Sequence, residues 1–198
     1  MGRTREAALA GALAAVTKYG SRKATMGDIA MLAGIAKATL YNHFRTRDDL
    51  YVALVATEVD RVAAAAAEKL PEGFDVAVAE AARLLGEYPA LRRIAVDDAS
   101  ALVALATPTA GPVWAAARGF VAGALSDAGY PESPAAVDLV LRFLVSQLLV
   151  PSAPDERVEA AALLTAAVAA EPLALPPAAA LAVLVPDSDQ AGSSHTSS

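Results

Sequence analysis

Seven side chains in one short stretch, Lys37, Ala38, Thr39, Tyr41, Asn42, His43 and Arg47, offer this chain's most usable chemistry. Their types suit recognition of a polyanion that carries bases. An Asn amide can pair with adenine at the edge it shows in a major groove. The methyl groups of Ala38 and Thr39 can touch a thymine methyl. Lys37 can reach a base or a phosphate, and Tyr41, His43 and Arg47 are suited to hold phosphates. Thr25, upstream, can offer its hydroxyl or backbone N–H to a phosphate at a helix N-terminus. Each residue also has a plainer use. Tyr41 could be half-buried packing, His43 could cap a helix, and Lys37 and Arg47 could be solvated charges.

These residues need a rigid mount, and the local sequence predicts one. Thr25 and Asp28 have the spacing of a capping box, which starts a helix carrying Ile29, Ala30 and Ala33. Gly34-Ile35-Ala36 breaks it, and a second short helix runs from Lys37 to Phe44. Two short helices meeting at a glycine make a helix-turn-helix, whose second helix enters a DNA groove. At about 100° per residue, Leu40 and Phe44 share one face and pack inward on Ile29 and Ala33. Ala38, Thr39 and Asn42 then point outward. A preceding helix, Arg5 to Tyr19, supplies an apolar face of Ala8, Leu9, Ala12, Leu13 and Val16, and Gly20 stops it. Arg3 and Arg5 read as a short basic arm. Thr46 and Asp49 form a second capping box, opening a long helix from Arg47 to Leu70 that ends at Pro71.

Residues 25–50 resemble the signature of the tetracycline-repressor (TetR/AcrR) family of bacterial transcription regulators. Thr25, Ile29, Ala30, Ala33, Gly34, Thr39, Leu40, Tyr41, His43, Phe44 and Leu50 stand in register with it. The chain departs from it with Ile35 for Val, Ala36 for Ser, Ala38 for Gly, Thr46 for Ser and Arg47 for Lys. Ala36 removes a capping hydroxyl, at about 1 kcal/mol if nothing replaces it. The resemblance covers the first quarter of the chain. It implies an all-α protein with an N-terminal three-helix DNA-binding domain over residues 1–50. A helical regulatory and dimerisation domain over 51–185 would follow, while residues 186–198, polar and small from Asp187 on, read by composition as a disordered tail. It also implies phosphate contacts by the residues at the Tyr41, His43 and Arg47 positions. The implied function is a homodimeric regulator, most commonly a repressor, that binds a palindromic operator and is released by a small molecule.

The charge distribution fits such a division. The 198 residues sum to −6, but residues 1–50 carry net +4 and the remainder net −10. The total argues against a non-specific nucleic-acid coat, and the asymmetry points to an anion-binding module at the front. With no cysteines and two distant histidines, His43 and His195, the chain holds no disulfide, thiolate metal site or His cluster. No cofactor is expected. No Gly-rich phosphate loop or nucleophile triad suggests an enzyme, and no segment suggests a signal or a membrane span. A cytoplasmic, nucleoid-associated protein is the expectation. Fifty-one alanines against ten aromatic residues favour closely packed helices over sheets.

Further helices are predicted over 74–87, 90–106, 113–128, 134–150 and 155–170. Ser133-Pro134 puts an N-cap ahead of a proline at the first helical position. The 134–150 helix is apolar nearly all round, which requires cover on most sides. With the Ala-rich 155–170 helix it is the expected dimer contact. An effector pocket would be mostly apolar with a few polar anchors. Tyr88, Trp114, Arg118, Phe143 and Gln147 are the candidate lining, with Asp97, Ser100 and Ser146 as further polar groups. The scarcity of aromatics favours a small or aliphatic ligand. Alternatively, this domain only dimerises or binds a protein partner, and its core would then be filled.

Overall fold

The computed structural model describes residues 2–97, 111–131 and 133–170. Among them, the chain is helical throughout. The order is α1 (Gly2–Tyr19), α2 (Met26–Leu32), α3 (Lys37–His43), α4 (Arg47–Ala67), a 3-10 turn (Leu70–Glu72), α5 (Phe74–Glu87) and α6 (Pro89–Asp97). After it come α7 (Pro112–Asp127), α8 (Pro134–Leu149) and α9 (Pro154–Ala169). None of these helices is long and apolar enough to cross a membrane. The expected continuation of α6 to 106, and the tail beyond 186, lie outside the described residues.

Most boundaries follow local chemistry. Thr25 and Thr46 both cap reciprocally with the aspartate three residues on, Asp28 and Asp49. Ser133 Oγ accepts the Ala136 N–H at 3.0 Å, with Pro134 in the first helical position. Ala36 precedes α3 with no side-chain cap, as its missing hydroxyl predicts. Two boundaries move. The helix of α4 ends at Ala67, and a single 3-10 turn containing Pro71 follows it. Helix α1 starts at Gly2, so Arg3 and Arg5 belong to its first turns and do not form a free arm. The Arg5 guanidinium lies 5.6 Å from the centre of the Phe44 ring, a cation–π contact that favours the helical start.

Two hydrophobic cores result. One gathers Ala8, Leu9, Ala12, Ile29, Leu40, Phe44, Leu50 and Leu54 from α1 to α4. The other gathers Phe74, Val78, Trp114, Leu125, Val140, Leu141, Ala161 and Leu164 from α5 and α7 to α9. Helix α4 belongs to both halves, because its first turns enter the former core and its later turns pack on α5 and α7. Helix α6 packs against α1, giving a second bridge between them.

Gly11 allows α1 and α2 to cross closely. A Cβ at Gly11 would sit 2.6 Å from Ala33 Cβ and 2.7 Å from both Ala33 N and Ile29 O. No local pattern around Gly11 marks that crossing. Gly34 serves conformation instead: its φ is +64°, and its surroundings leave room for a Cβ. It turns the chain between α2 and α3 in a region that other residues rarely adopt.

Candidate functional site

Helix α3 is divided lengthwise. Leu40 is 0% exposed and Phe44, just past the helix end, is buried with it. Lys37, Ala38, Tyr41 and Asn42 are exposed, and Thr39 and His43 are half-buried. The face opposite the core therefore presents an ammonium, a methyl, a phenol and an amide within two turns. The Lys37 ammonium lies 6.0 Å from the Tyr41 ring centre, so cation and phenol share one edge of that face. Arg45 is exposed just beyond it and was not singled out from the sequence.

Thr25 and Arg47 are engaged within the protein. The Thr25 hydroxyl donates to Asp28 Oδ2 at 2.6 Å and accepts the Asp28 N–H at 3.1 Å. The Thr25 backbone N–H also donates to Asp28 Oδ2, at 3.0 Å. These bonds from Thr25 hold the Asp28 carboxyl below the usual carboxylate value. Arg47 Nη1 donates to the carbonyls of Arg22 and Ala24 at 3.3 and 3.4 Å, and its guanidinium lies 5.6 Å from the Tyr51 ring centre. The Tyr51 hydroxyl donates to Ser21 O at 3.1 Å. Arg47 and Tyr51 thus pin the α1–α2 loop to α4, a positioning role the local sequence did not reveal.

A cavity of about 360 Å³ lies among α1, α4, α5, α7 and α8. Tyr88 and Trp114 line it. Arg118, Phe143 and Gln147 do not. Arg118 Nη2 pairs with Asp138 at 3.5 Å, and Asp138 also binds Arg142. Phe143 packs against the second core. Gln147 is buried and closes the α8–α9 connection: its Oε1 accepts the Ser152 N–H at 2.9 Å. Ser146 Oγ donates to the Phe143 carbonyl. Ser100 lies outside the described residues, and Asp97 is described in its backbone only.

Three polar residues on the cavity wall were missed: Glu58 and Arg61 of α4, and Asp127 at the end of α7. Arg61 Nε donates to Glu58 Oε2 at 2.8 Å, and the Arg61 guanidinium lies 4.9 Å from the Tyr88 ring centre. Burial, then the neighbouring Glu58, pushes the Tyr88 phenol well above its ordinary value, so it stays protonated. The i,i+3 spacing of Glu58 and Arg61 was visible, but Tyr88 lies in another element.

Residues 8–54 match the family described as bacterial regulatory proteins, tetR family. No curated protein matches the chain. Solved structures share its fold. The TetR-family repressor AlkX of Dietzia sp. strain DQ12-45-1b, implicated in biodegradation of n-alkanes, superposes with a TM-score of 0.64 at 22% identity. That match covers 83% of this chain and 94% of AlkX. A Rhodococcus sp. protein described as a TetR-family transcriptional regulator gives 0.62 at 20% identity, covering 86% of this chain and 100% of its own. The transcriptional regulator SCO7518 from Streptomyces coelicolor A3(2) gives 0.57 at 19% identity, covering 82% and 98%.

Proposed function

We propose that the protein, whose residues 8–54 match the tetR family of bacterial regulatory proteins, is a homodimeric repressor of transcription. It would bind a palindromic operator and release it when a small molecule fills the second half. The observation that carries this reading is the divided α3, with Leu40 fully buried and Lys37, Ala38, Tyr41 and Asn42 presented outward. In this reading Asn42 pairs with an adenine, and the Ala38 and Thr39 methyls test for thymine. Lys37, Tyr41 and His43 hold phosphates, as does Arg47 with the N–H groups not used on the α1–α2 loop. Thr25 contributes by setting the α2 N-terminus at the backbone.

The dimer contact we assign to α8 and α9. Leu139 and Leu149 on α8, and Val158 and Leu163 on α9, are large apolar side chains left exposed. Large apolar side chains left exposed on two helices that touch support an association site there, and a twofold dimer would match a twofold operator. The effector site is the cavity beside α4. A ligand shifts DNA affinity only by binding the two arrangements unequally, and α4 joins the cavity to the reader.

The test is selection of genomic DNA fragments by the purified protein, followed by anisotropy titrations on the selected site. Lys37→Ala should weaken all sequences alike and lower the salt slope by about one. Asn42→Ala should cost about 1–3 kcal/mol and relax preference at one base pair. Absence of any sequence preference at moderate salt overturns the proposal.

A further inference from the structure

The cavity has a shape and a polarity that narrow the ligand. Its wall includes α4 from Leu54 to Ala67 and α7 from Val113 to Asp127. At 1.5 Å per residue these spans are about 20 Å and 21 Å, so two helices flank the space over a length that an extended chain can follow. About 360 Å³ holds roughly a dozen non-hydrogen atoms at the liquid volume of about 30 Å³ per water-sized group. The described wall is otherwise aliphatic and aromatic. Its charged or hydroxyl-bearing side chains are Glu58, Arg61, Tyr88 and the exposed Asp127.

Glu58, Arg61 and Tyr88 act as one unit. The carboxylate and the guanidinium neutralise each other across the 2.8 Å bond. What remains for a ligand is a set of hydrogen-bonding groups with no net charge. A second carboxylate brought here would meet the Glu58 carboxylate with one arginine, itself 45% exposed, to serve both, and two like charges sharing one site disfavour each other. A hydroxyl or carbonyl head, which can both fit the apolar channel and share these donors and acceptors, meets no such penalty.

We propose that the effector of this protein is an extended aliphatic chain of about ten to twelve non-hydrogen atoms with one neutral polar head, an alcohol or a carbonyl. The head binds at Glu58, Arg61 and Tyr88. This rests on the reading of the cavity as the effector site and adds the ligand's class and orientation.

The chain's single tryptophan, Trp114, lies on the cavity wall and reports occupancy directly. The experiment titrates the full chain with decanol and, separately, with decanoate, following Trp114 emission. Decanol should give a saturable shift, and decanoate should bind at least roughly tenfold more weakly, a difference of one decade in affinity. Ala117→Phe, which fills the channel from α7, should abolish the decanol response. Tyr88→Phe should weaken decanol and leave decanoate unchanged, a difference that mere loss of packing would not produce. No saturable shift with decanol overturns the proposal, and so does decanoate binding as tightly as decanol. Operator binding measured without either probe is a separate readout, so failure of the DNA-binding reading and failure of this one are told apart.

Discussion

Replacing Gly11 with alanine sets two known effects against each other at one site. Alanine is favoured over glycine inside a helix by about 1 kcal/mol, so α1 taken alone would gain. The added methyl, however, would lie 2.6 Å from Ala33 Cβ and 2.7 Å from Ala33 N and Ile29 O. Two of those three atoms are backbone, so no rotamer change relieves the clash. Helix α2 must back away from α1 by most of an ångström to restore contact distances. Ile29, fully buried between them, moves with it. Overpacking of this kind costs about 1–3 kcal/mol, occasionally more. Because α2 must yield as a body, the upper part of that range applies, leaving a net loss of about 1–2 kcal/mol after the propensity gain. The assay is thermal or urea unfolding followed by circular dichroism. Gly119→Ala serves as the control, since a Cβ there meets nothing within 4 Å and only the propensity term should appear. Gly11→Ala should melt lower than wild type while Gly119→Ala melts at or above it. A Gly11→Ala protein as stable as the control would refute the close crossing. Operator affinity gives a second reading, because α3 packs on α2 and would be displaced with it.

Gln147→Leu should lose about 1–3 kcal/mol, because it strands the Ser152 N–H that the buried amide now accepts; thermal melts check this, and an unchanged melting temperature counts against it. Asp28 has a folded pKa held below its ordinary value of 3.8 by Thr25. Its contribution should be whole above that value and fade only as pH falls below it. The melting difference between wild type and Asp28→Asn should therefore be flat from pH 7 to about 4 and shrink below; a difference that already fades near pH 6 would contradict the capping box. Leu163 is 65% exposed on α9, and Leu163→Glu should convert a dimer into a monomer in sedimentation and abolish operator binding. A variant that stays dimeric would place the contact elsewhere.

What the sequence made legible is what closes within one turn. The capping boxes at Thr25 and Thr46 and the Ser133-Pro134 start involve partners three residues apart, and each appears as read. The inward face of α3 was readable for the same reason, since helical geometry fixes which side Leu40 and Phe44 share. The contacts that could not be read join distant segments. Arg47 reaches the carbonyl of Arg22 and Tyr51 that of Ser21. Buried Arg157 pairs with Glu87 at 3.2 Å across seventy positions, fastening α9 to α5. Gln147 and Phe143 looked like pocket residues because polar and aromatic side chains on an apolar helix are ambiguous by type. Their partners, Ser152 and the second core, decide their use.

The same distinction bears on how a signal would travel. Leu54 lies on the cavity wall and in the core that supports α3, and Leu13, also on the wall, packs against that core. A ligand in the cavity would therefore press on α1 and α4 directly, with no relay of intervening residues. Effector coupling of this class amounts to about 1–3 kcal/mol, comparable to the cost of forcing α1 and α2 apart at Gly11. A displacement of most of an ångström at one wall is then enough in energy to change how α3 meets a half-site. Filling the channel with Ala117→Phe tests this on the unliganded protein. If occupancy of the wall itself moves α1 and α4, this variant should bind operator more weakly than wild type. If operator affinity is unchanged, filling the channel at α7 does not reach the reader, and the ligand's polar head at Glu58 and Arg61 on α4 becomes the part that transmits.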